Sequence, residues 1–137
     1  MVLDASFLVK LVLEEEGSES ARALAKSWAI KGEVLGVPDL ALPEALNAIW
    51  KHTSKIKDIG VEEALNSVKD LLRLWATMKV YSSKDLALEA FKLALKEDIT
   101  VYDALYIHLA RSTGSGLATF DEKLSNVAEK YGITTYP

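Results

Sequence analysis

The sequence has 137 residues, no cysteine and a formal net charge of −4. This fits a single domain over residues 1–137 and excludes both a disulfide framework and a thiolate metal site. Half of the residues are hydrophobic, yet no apolar run reaches the roughly 20 residues that a membrane-spanning helix needs. Asp4 interrupts the first apolar run, which is unlike a secretion signal, so we expect a cytoplasmic protein. Glutamine is absent while lysine and glutamate are abundant, a composition typical of thermophiles.

Short apolar runs alternate with helical stretches along the chain, a pattern that predicts an α/β fold with a parallel sheet. Strands are predicted at residues 2–4, 33–37, 80–81, 117–120 and 133–136. Helices are predicted at about residues 6–16, 18–30, 39–53, 61–78, 83–96, 100–112 and 122–131. Several boundaries coincide with glycine or proline: Gly17 ends the first helix, Pro38 stops the second strand, and Gly60 precedes the fourth helix.

The fourth predicted helix is amphipathic. Its apolar stripe consists of Leu65, Val68, Leu72 and Trp75. Because the chain is apolar for its length, we expect part of its surface to be covered by a second copy in a homodimer. The candidate surfaces are the helix that carries Ile49 and Trp50 and the helix at 61–78. The alternative is that both helices simply pack in the core.

Four acidic residues stand at the boundaries of predicted elements. Asp4 and Asp121 directly follow apolar strands, and the sites of open parallel sheets lie beyond the carboxyl ends of the strands, where the strand order reverses. Glu44 and Asp103 begin helices inside apolar stretches, where a buried, unpaired carboxylate is costly. Each acid also has a structural explanation, as a helix cap or as negative charge in a first helical turn. Together, the four predict one crevice that collects carboxylates.

Carboxylates that converge in one crevice cannot all stay ionised unless a cation compensates their charge. Because this set offers oxygen ligands and neither cysteine nor histidine, it favours Mg²⁺ or Mn²⁺ over zinc. A water molecule on such an ion can attack a phosphodiester. Ser6 and Thr119 lie close in sequence to Asp4 and Asp121, so their hydroxyls are expected to hydrogen-bond the ligand carboxylates. Local capping is the alternative.

Four runs carry a family resemblance: VLDAS at residues 2–6, PEALN at 43–47, TVYDALY at 100–106 and LATFD at 117–121. They resemble the four motifs of PIN domains, and the length and motif order are most similar to the VapC-like toxins of toxin–antitoxin pairs. The resemblance implies a three-layer α/β/α fold with a five-stranded parallel sheet in the order 3-2-1-4-5. It implies a Mg²⁺- or Mn²⁺-dependent endoribonuclease whose catalytic and metal-binding residues are Asp4, Glu44, Asp103 and Asp121. It also implies a homodimer and a VapB-like antitoxin whose tail blocks the acidic pocket, often through an inserted arginine.

The negative net charge is unusual for a protein that handles RNA, because phosphate binding normally uses a basic surface. Bound divalent cations would supply local positive charge. Basic residues also cluster near the end of the third predicted helix, at Lys51, His52, Lys55 and Lys57. Asn47 and Lys51 share a helical face with Glu44, so the candidate substrate-binding residues are Asn47, Lys51 and Lys55. A solvated helix end is the alternative, and His108 is interpreted as structural.

Other interpretations are less consistent with the sequence. Haloacid-dehalogenase-like phosphatases need a second aspartate two positions after the first, where this chain has Ser6. Response-regulator receiver domains have adjacent acids after the first strand and a lysine after the fifth, which this chain lacks. A PIN-like module that binds RNA or protein without cleaving it is the remaining alternative, and the intact acidic quartet counts against it.

Overall fold

The computed structural model describes all of residues 1–137. Its strands are β1 (Val2–Leu3), β2 (Gly36–Pro38), β3 (Lys79–Tyr81), β4 (Leu117–Ala118) and β5 (Thr135–Tyr136). Neighbouring strands are all parallel and form one sheet in the order β3-β2-β1-β4-β5. This confirms the predicted α/β class and the strand order that the resemblance implied.

The helices are α1 (Ala5–Val12), α2 (Ser18–Ile30), α3 (Ala41–Lys51), α4 (Val61–Trp75), α5 (Ser83–Glu97), α6 (Val101–Thr113) and α7 (Glu122–Lys130). From β1 the chain moves outward through β2 and β3, then crosses back to β4 and β5 on the other side. Crossovers between parallel strands are right-handed, so those that run from β1 towards β3 and those that run from β1 towards β5 place their helices on opposite faces of the sheet. The packing agrees, because α1 contacts α2, α3 and α4, whereas α6 contacts α5 and α7.

The sheet is short, and its centre is fully buried. The largest side chains with no exposure include Leu3, Phe7, Leu8, Ile107, Leu109 and Leu117. They come from β1, α1, α6 and β4, so the hydrophobic core lies on both sides of the central strands. None of the helices has the length and apolar character needed to cross a membrane.

Strand β2 includes Pro38, which was predicted to stop it, and this position limits the pairing with β1. Gly36 donates its N–H to the carbonyl of Met1. The N–H two residues further on would point to the same side, and proline has none. The pairing of β1 with β2 therefore contains only the register pair Val2 and Gly36. On its other side β1 pairs with β4, so the strand order reverses between them and Asp4 and Asp121 leave the sheet at adjacent strands.

Helix α4 ends at Trp75, earlier than predicted, and its buried face differs from the predicted stripe. Leu71 is completely buried and Ser67 nearly so, whereas Leu65 and Leu72 are 57% and 49% exposed. The inner face thus combines Leu71 with the small Ser67, while the predicted stripe places Leu65 and Leu72 on the outer face.

Helix α3 also departs from its prediction, which extended to residue 53. The α-helix ends at Lys51 and continues as a π-helical segment, His52–Ile56. Ile49 faces the core, while Trp50 is half exposed. Ile49 is therefore unavailable for the dimer surface that the sequence suggested, and Trp50 remains accessible.

Candidate active site

Asp4 is buried at the carboxyl end of β1 and accepts several hydrogen bonds. Its Oδ1 accepts from the backbone N–H of Phe7 at 2.8 Å, which caps α1. The same oxygen accepts from the Ser6 hydroxyl at 2.7 Å. Its Oδ2 accepts from the Thr119 hydroxyl at 2.5 Å. The structural explanation and the functional one are thus both satisfied by one side chain.

The pKa of Asp4 is raised to about 6, and burial is the main cause. Hydrogen bonds from Thr119, Phe7 and Ser6 favour the charged form and oppose this effect, while the charge of Asp121 adds to it. A carboxylate kept so far from water gains more from a nearby cation than an exposed one does.

The two hydroxyls tie Asp4 to the turn that follows β4. Ser6 Oγ accepts the N–H of Phe120 at 2.9 Å, and Thr119 Oγ1 accepts the N–H of Asp121 at 2.9 Å. The backbone before Asp121 is therefore fixed relative to Asp4. Gly17 adds to this packing, because a Cβ at that position would lie 2.8 Å from the Phe120 ring.

Asp121 caps α7 with one oxygen and leaves the other free. Its Oδ1 accepts from the N–H groups of Lys123 and Leu124 at 2.8 and 3.1 Å. Its Oδ2 accepts no hydrogen bond from the protein, and the side chain is exposed. One oxygen thus orients the carboxylate and the second is available to a ligand.

Glu44 and Asp103 approach from the two helical layers, in the first turns of α3 and α6. Both are half-buried. Burial is the main cause of the raised pKa of Glu44, and a hydrogen bond from Tyr106 opposes it. Burial also raises the pKa of Asp103, against a hydrogen bond with Thr100. The Thr100 hydroxyl accepts the Asp103 N–H at 3.1 Å, so the capping role of Thr100 is present as well.

Each of the four carboxylates interacts with the charge of neighbouring carboxylates in the set. Burial is the largest cause of the raised pKa of Glu44, and repulsion from Asp4 and Asp103 raises it further. Repulsion from Asp121 contributes to the pKa values of both Asp4 and Asp103. These interactions form a closed ring, Asp4–Asp121–Asp103–Glu44–Asp4, at the carboxyl ends of β1 and β4. The fold therefore brings the four acids to a shared region.

The ring is wider than a closed metal cage, because no three acidic or histidine side chains lie close enough to hold one ion. A protein site for Mg²⁺ typically uses one or two carboxylates and keeps several waters. The donor set fits such an ion: it contains only oxygen and carries excess negative charge, and Glu44, Asp103 and Asp121 each have a carboxylate oxygen that accepts no hydrogen bond from the protein. Asp4, Glu44, Asp103 and Asp121 are the residues that would hold it.

A cleft of about 490 Å³ adjoins the ring on the α3 side. Its polar lining includes Ser6, Lys10, Glu44, Asn47, Lys51 and His52. Asn47 and Lys51 are thus brought to the site, but Lys55 is not: its ammonium lies 5.4 Å from the centre of the Trp50 ring. A second cleft of about 490 Å³ lies on the other side of Asp121 and is lined by Ser125, Asn126 and Thr135.

Three polar residues were missed or left unplaced by the sequence. Tyr106 donates to Glu44, and the available signal was its spacing of three residues from Asp103 on α6. His52 lies between two acids, with Nδ1 2.9 Å from Asp58 and Nε2 3.6 Å from Glu15. Lys10 binds Glu15 at 3.0 Å beside the same cleft. Nothing in the sequence places either of these last two, because they meet only at Glu15, which lies outside the regular helices.

Burial, the charge of Glu44 and the hydrogen bond to Glu44 all raise the pKa of Tyr106. The residue is 3% exposed, so its hydroxyl remains a donor at neutral pH. His108 is half-buried on α6 and lies near Glu89 of α5, away from the acidic ring.

Comparisons with known proteins agree with this fold. A profile of the PIN domain matches residues 1–130. Ribonuclease VapC3 of Pyrobaculum aerophilum is 37% identical over this whole chain and 98% of its own length. Exonuclease VapC9 of the same organism is 30% identical over 71% of this chain and 69% of its own.

Two solved structures are similar over nearly the whole chain. The crystal structure of PAE2754 from Pyrobaculum aerophilum has a TM-score of 0.66 and 25% identity, with 96% of this chain and 93% of that chain covered. Mycobacterium tuberculosis VapC20, a sarcin–ricin loop cleaving toxin, has a TM-score of 0.67 and 20% identity, with 92% and 93% covered. With the family profile and the full-length VapC relative, the observed sheet order establishes that this chain belongs to the PIN domain family and is VapC-like.

Proposed function

We propose that this protein is a Mg²⁺- or Mn²⁺-dependent endoribonuclease and the toxin of a VapBC-type pair, acting in the cytoplasm. The observation that carries the proposal is the ring of four carboxylates at the strand-order reversal, of which Asp4 is the most buried member. Full-length identity to a VapC ribonuclease supports the same activity.

The protein leaves three of the acids available to an ion in different ways. Asp4 is held in one orientation by Ser6 and Thr119, whereas Glu44 and Asp121 each offer an oxygen that accepts no hydrogen bond from the protein. A bound divalent ion would supply an activated water and stabilise negative charge on the phosphoryl oxygens. The carboxylates hold and orient this centre, and in the free protein burial, with repulsion between neighbouring acids, raises the pKa values of Asp4, Glu44 and Asp103.

RNA binding is assigned to the cleft beside α3. Asn47 can donate to a phosphate or a base, and Lys51 supplies a positive charge near Glu44. The bound cation offsets the excess negative charge of the chain at the point where the backbone of RNA must approach. Lys55 has no part in this contact because its side chain is packed over Trp50.

The cleavage test uses the purified full chain, a linear RNA and a circular RNA, with Mn²⁺ or with a chelator. An endonuclease opens the circle, which has no ends for an exonuclease. We expect cleavage of both substrates with Mn²⁺, none with chelator, and loss of cleavage in Asp103→Asn. Asp70→Asn, on the exposed side of α4, is the matched control and keeps full activity.

Cleavage that persists in chelator would contradict the metal dependence. Cleavage of the linear RNA alone would contradict the endonuclease assignment and indicate an exonuclease. RNA binding without any cleavage would favour the non-catalytic module instead. Sequencing the cut ends then identifies the target site.

The toxin role and its partner are tested in cells. Induced expression is expected to arrest growth, and Asp4→Ala is expected to relieve the arrest because it removes the buried carboxylate. Coexpression of a VapB-like protein from the neighbouring gene should also relieve the arrest. Equal toxicity of Asp4→Ala and the wild type would contradict the proposal.

A homodimer is part of the proposal because large apolar side chains remain uncovered on the single chain. Half-exposed or more exposed examples are Trp50, Leu65, Leu72, Leu88, Phe91 and Leu95. Leu88, Phe91 and Leu95 follow the helical repeat along α5, a surface that the sequence analysis did not identify. We place the interface on this face of α5.

A further inference from the structure

The side chain of Tyr106 makes one specific polar contact inside an otherwise apolar stretch of α6. Tyr106 is 3% exposed, and its neighbours Ala104, Leu105 and Ile107 are buried as well. Its hydroxyl donates to Glu44 Oε1 at 2.8 Å, across 62 residues of sequence. A phenylalanine would fill the same volume without a polar group, so the hydroxyl is not needed for packing.

The contact leaves the two oxygens of Glu44 in different states. Oε1 accepts the Tyr106 hydroxyl. Oε2 accepts no hydrogen bond from the protein, and no buried polar atom in the chain lacks a partner, so Oε2 reaches solvent. One oxygen is thus committed to the protein and the other is directed to the cleft that Glu44 lines.

Helix α6 presents Tyr106 and Asp103 on the same side, because they are three residues apart. It therefore supplies a carboxylate to the acidic ring and also fixes the orientation of a carboxylate from α3, on the other face of the sheet. The backbone N–H of Ala5, which follows Asp4, also faces the Tyr106 hydroxyl. Tyr106 consequently links three of the elements that surround the ring: α1 through Ala5, α3 through Glu44 and α6 itself.

We propose that Tyr106 is a positioning residue that holds Glu44 as a one-oxygen ligand for the divalent ion, and this rests on the proposed function. Partners that orient ligand carboxylates typically contribute 10- to 100-fold to metal affinity. Tyr106 does not touch RNA or metal in this arrangement. Its effect passes entirely through Glu44, and this makes the proposal testable by a double-mutant cycle.

The experiment measures Mn²⁺ binding to the metal-free full chain by calorimetry, without RNA. Tyr106→Phe is expected to weaken Mn²⁺ binding by about tenfold or more. Tyr131→Phe is the matched control, since the Tyr131 hydroxyl donates to Glu97 at 2.5 Å in a comparable tyrosine–carboxylate pair outside the acidic ring. Its Mn²⁺ affinity should equal that of the wild type.

The same substitution is then made in Glu44→Gln, where no carboxylate remains to be oriented. There, Tyr106→Phe is expected to cause no additional loss. Glu44→Asp provides a second route, because shortening the side chain separates it from Tyr106 while keeping its charge. Glu44→Asp should weaken Mn²⁺ binding as Tyr106→Phe does. The double variant should bind Mn²⁺ no more weakly than the weaker of the two single variants.

Wild-type affinity in Tyr106→Phe, or an equal loss in both the wild-type and Glu44→Gln backgrounds, would overturn the positioning role. Absence of Mn²⁺ binding in the wild type would instead overturn the metal dependence in the proposed function. The two failures are therefore distinguishable within one set of titrations.

Discussion

Asp4→Asn should stabilise the metal-free protein at neutral pH while it abolishes nuclease activity. Asparagine has nearly the same shape as aspartate but carries no charge. It therefore removes the cost of ionising a carboxyl group that is 4% exposed. The activity is lost because a neutral amide cannot replace the central anionic ligand.

The magnitude follows from the pKa of Asp4, which is raised from 3.8 to about 6. A difference of about two pKa units corresponds to roughly 3 kcal/mol. The folded-state pKa is the higher one, so the protonated Asp4 favours the folded wild type. This contribution to wild-type stability is fully present below pH 3.8 and is lost as the pH rises through about 6. The amide introduced by the substitution must rearrange the hydrogen bond with Thr119, which costs about 1 kcal/mol, so the net gain at pH 8 is about 2 kcal/mol.

The assay is urea or guanidinium unfolding of both proteins between pH 4 and pH 8, with a chelator present. The stability of Asp4→Asn relative to the wild type should rise by about 3 kcal/mol across this range. Asp70→Asn, at an exposed surface pair, should show almost no such trend. A difference that does not change with pH, or a variant that is destabilised most at pH 8, would refute the reasoning.

Three further outcomes are expected. Thr119→Val removes a donor to the charged form of Asp4, so the pKa of Asp4 should rise further and the acidic limb of the nuclease pH–rate profile should move to higher pH; an unchanged limb would contradict this. Lys51→Ala should raise KM for RNA and reduce the salt slope of binding by about 1, whereas Lys55→Ala should leave both unchanged; equal effects would remove the cleft assignment. Phe91→Glu places a charge on the exposed face of α5 and should convert a dimer to a monomer, as measured by light scattering; a variant that stays dimeric would contradict an interface on α5.

The sheet order came from the family resemblance, whereas the shared location of the four acids could be expected from local signals in the sequence. Asp4 and Asp121 each follow a short apolar strand, and the carboxyl ends of parallel strands lie on one edge of the sheet. The capping alternatives were also correct as geometry: Asp4 and Asp121 do cap α1 and α7. Capping and clustering are compatible, since a cap needs only one carboxylate oxygen.

The position of Lys55 was not predictable from helical spacing. An uninterrupted α-helix would bring Lys55 to the face of Asn47 and Lys51. The chain instead changes to π-helical geometry at His52, and this alters the rotation per residue. Lys55 then packs over Trp50.

The contact between Tyr106 and Glu44 could not be predicted from the sequence for a different reason. Its partners are 62 residues apart and belong to opposite helical layers. Periodicity within one element carries no information on such a pair.

The bond between the hydroxyl of Thr119 and Asp4 spans 115 residues, so the first and the fourth strands must both be present before the central carboxylate is in place. A chain still being synthesised has the first acid long before it has the last. Domains fold as units once their chain has emerged, and a site assembled this way stays incomplete until the fourth strand has been synthesised. For a nuclease, that delay would keep the acidic site unformed while the first three strands of its own chain are being translated.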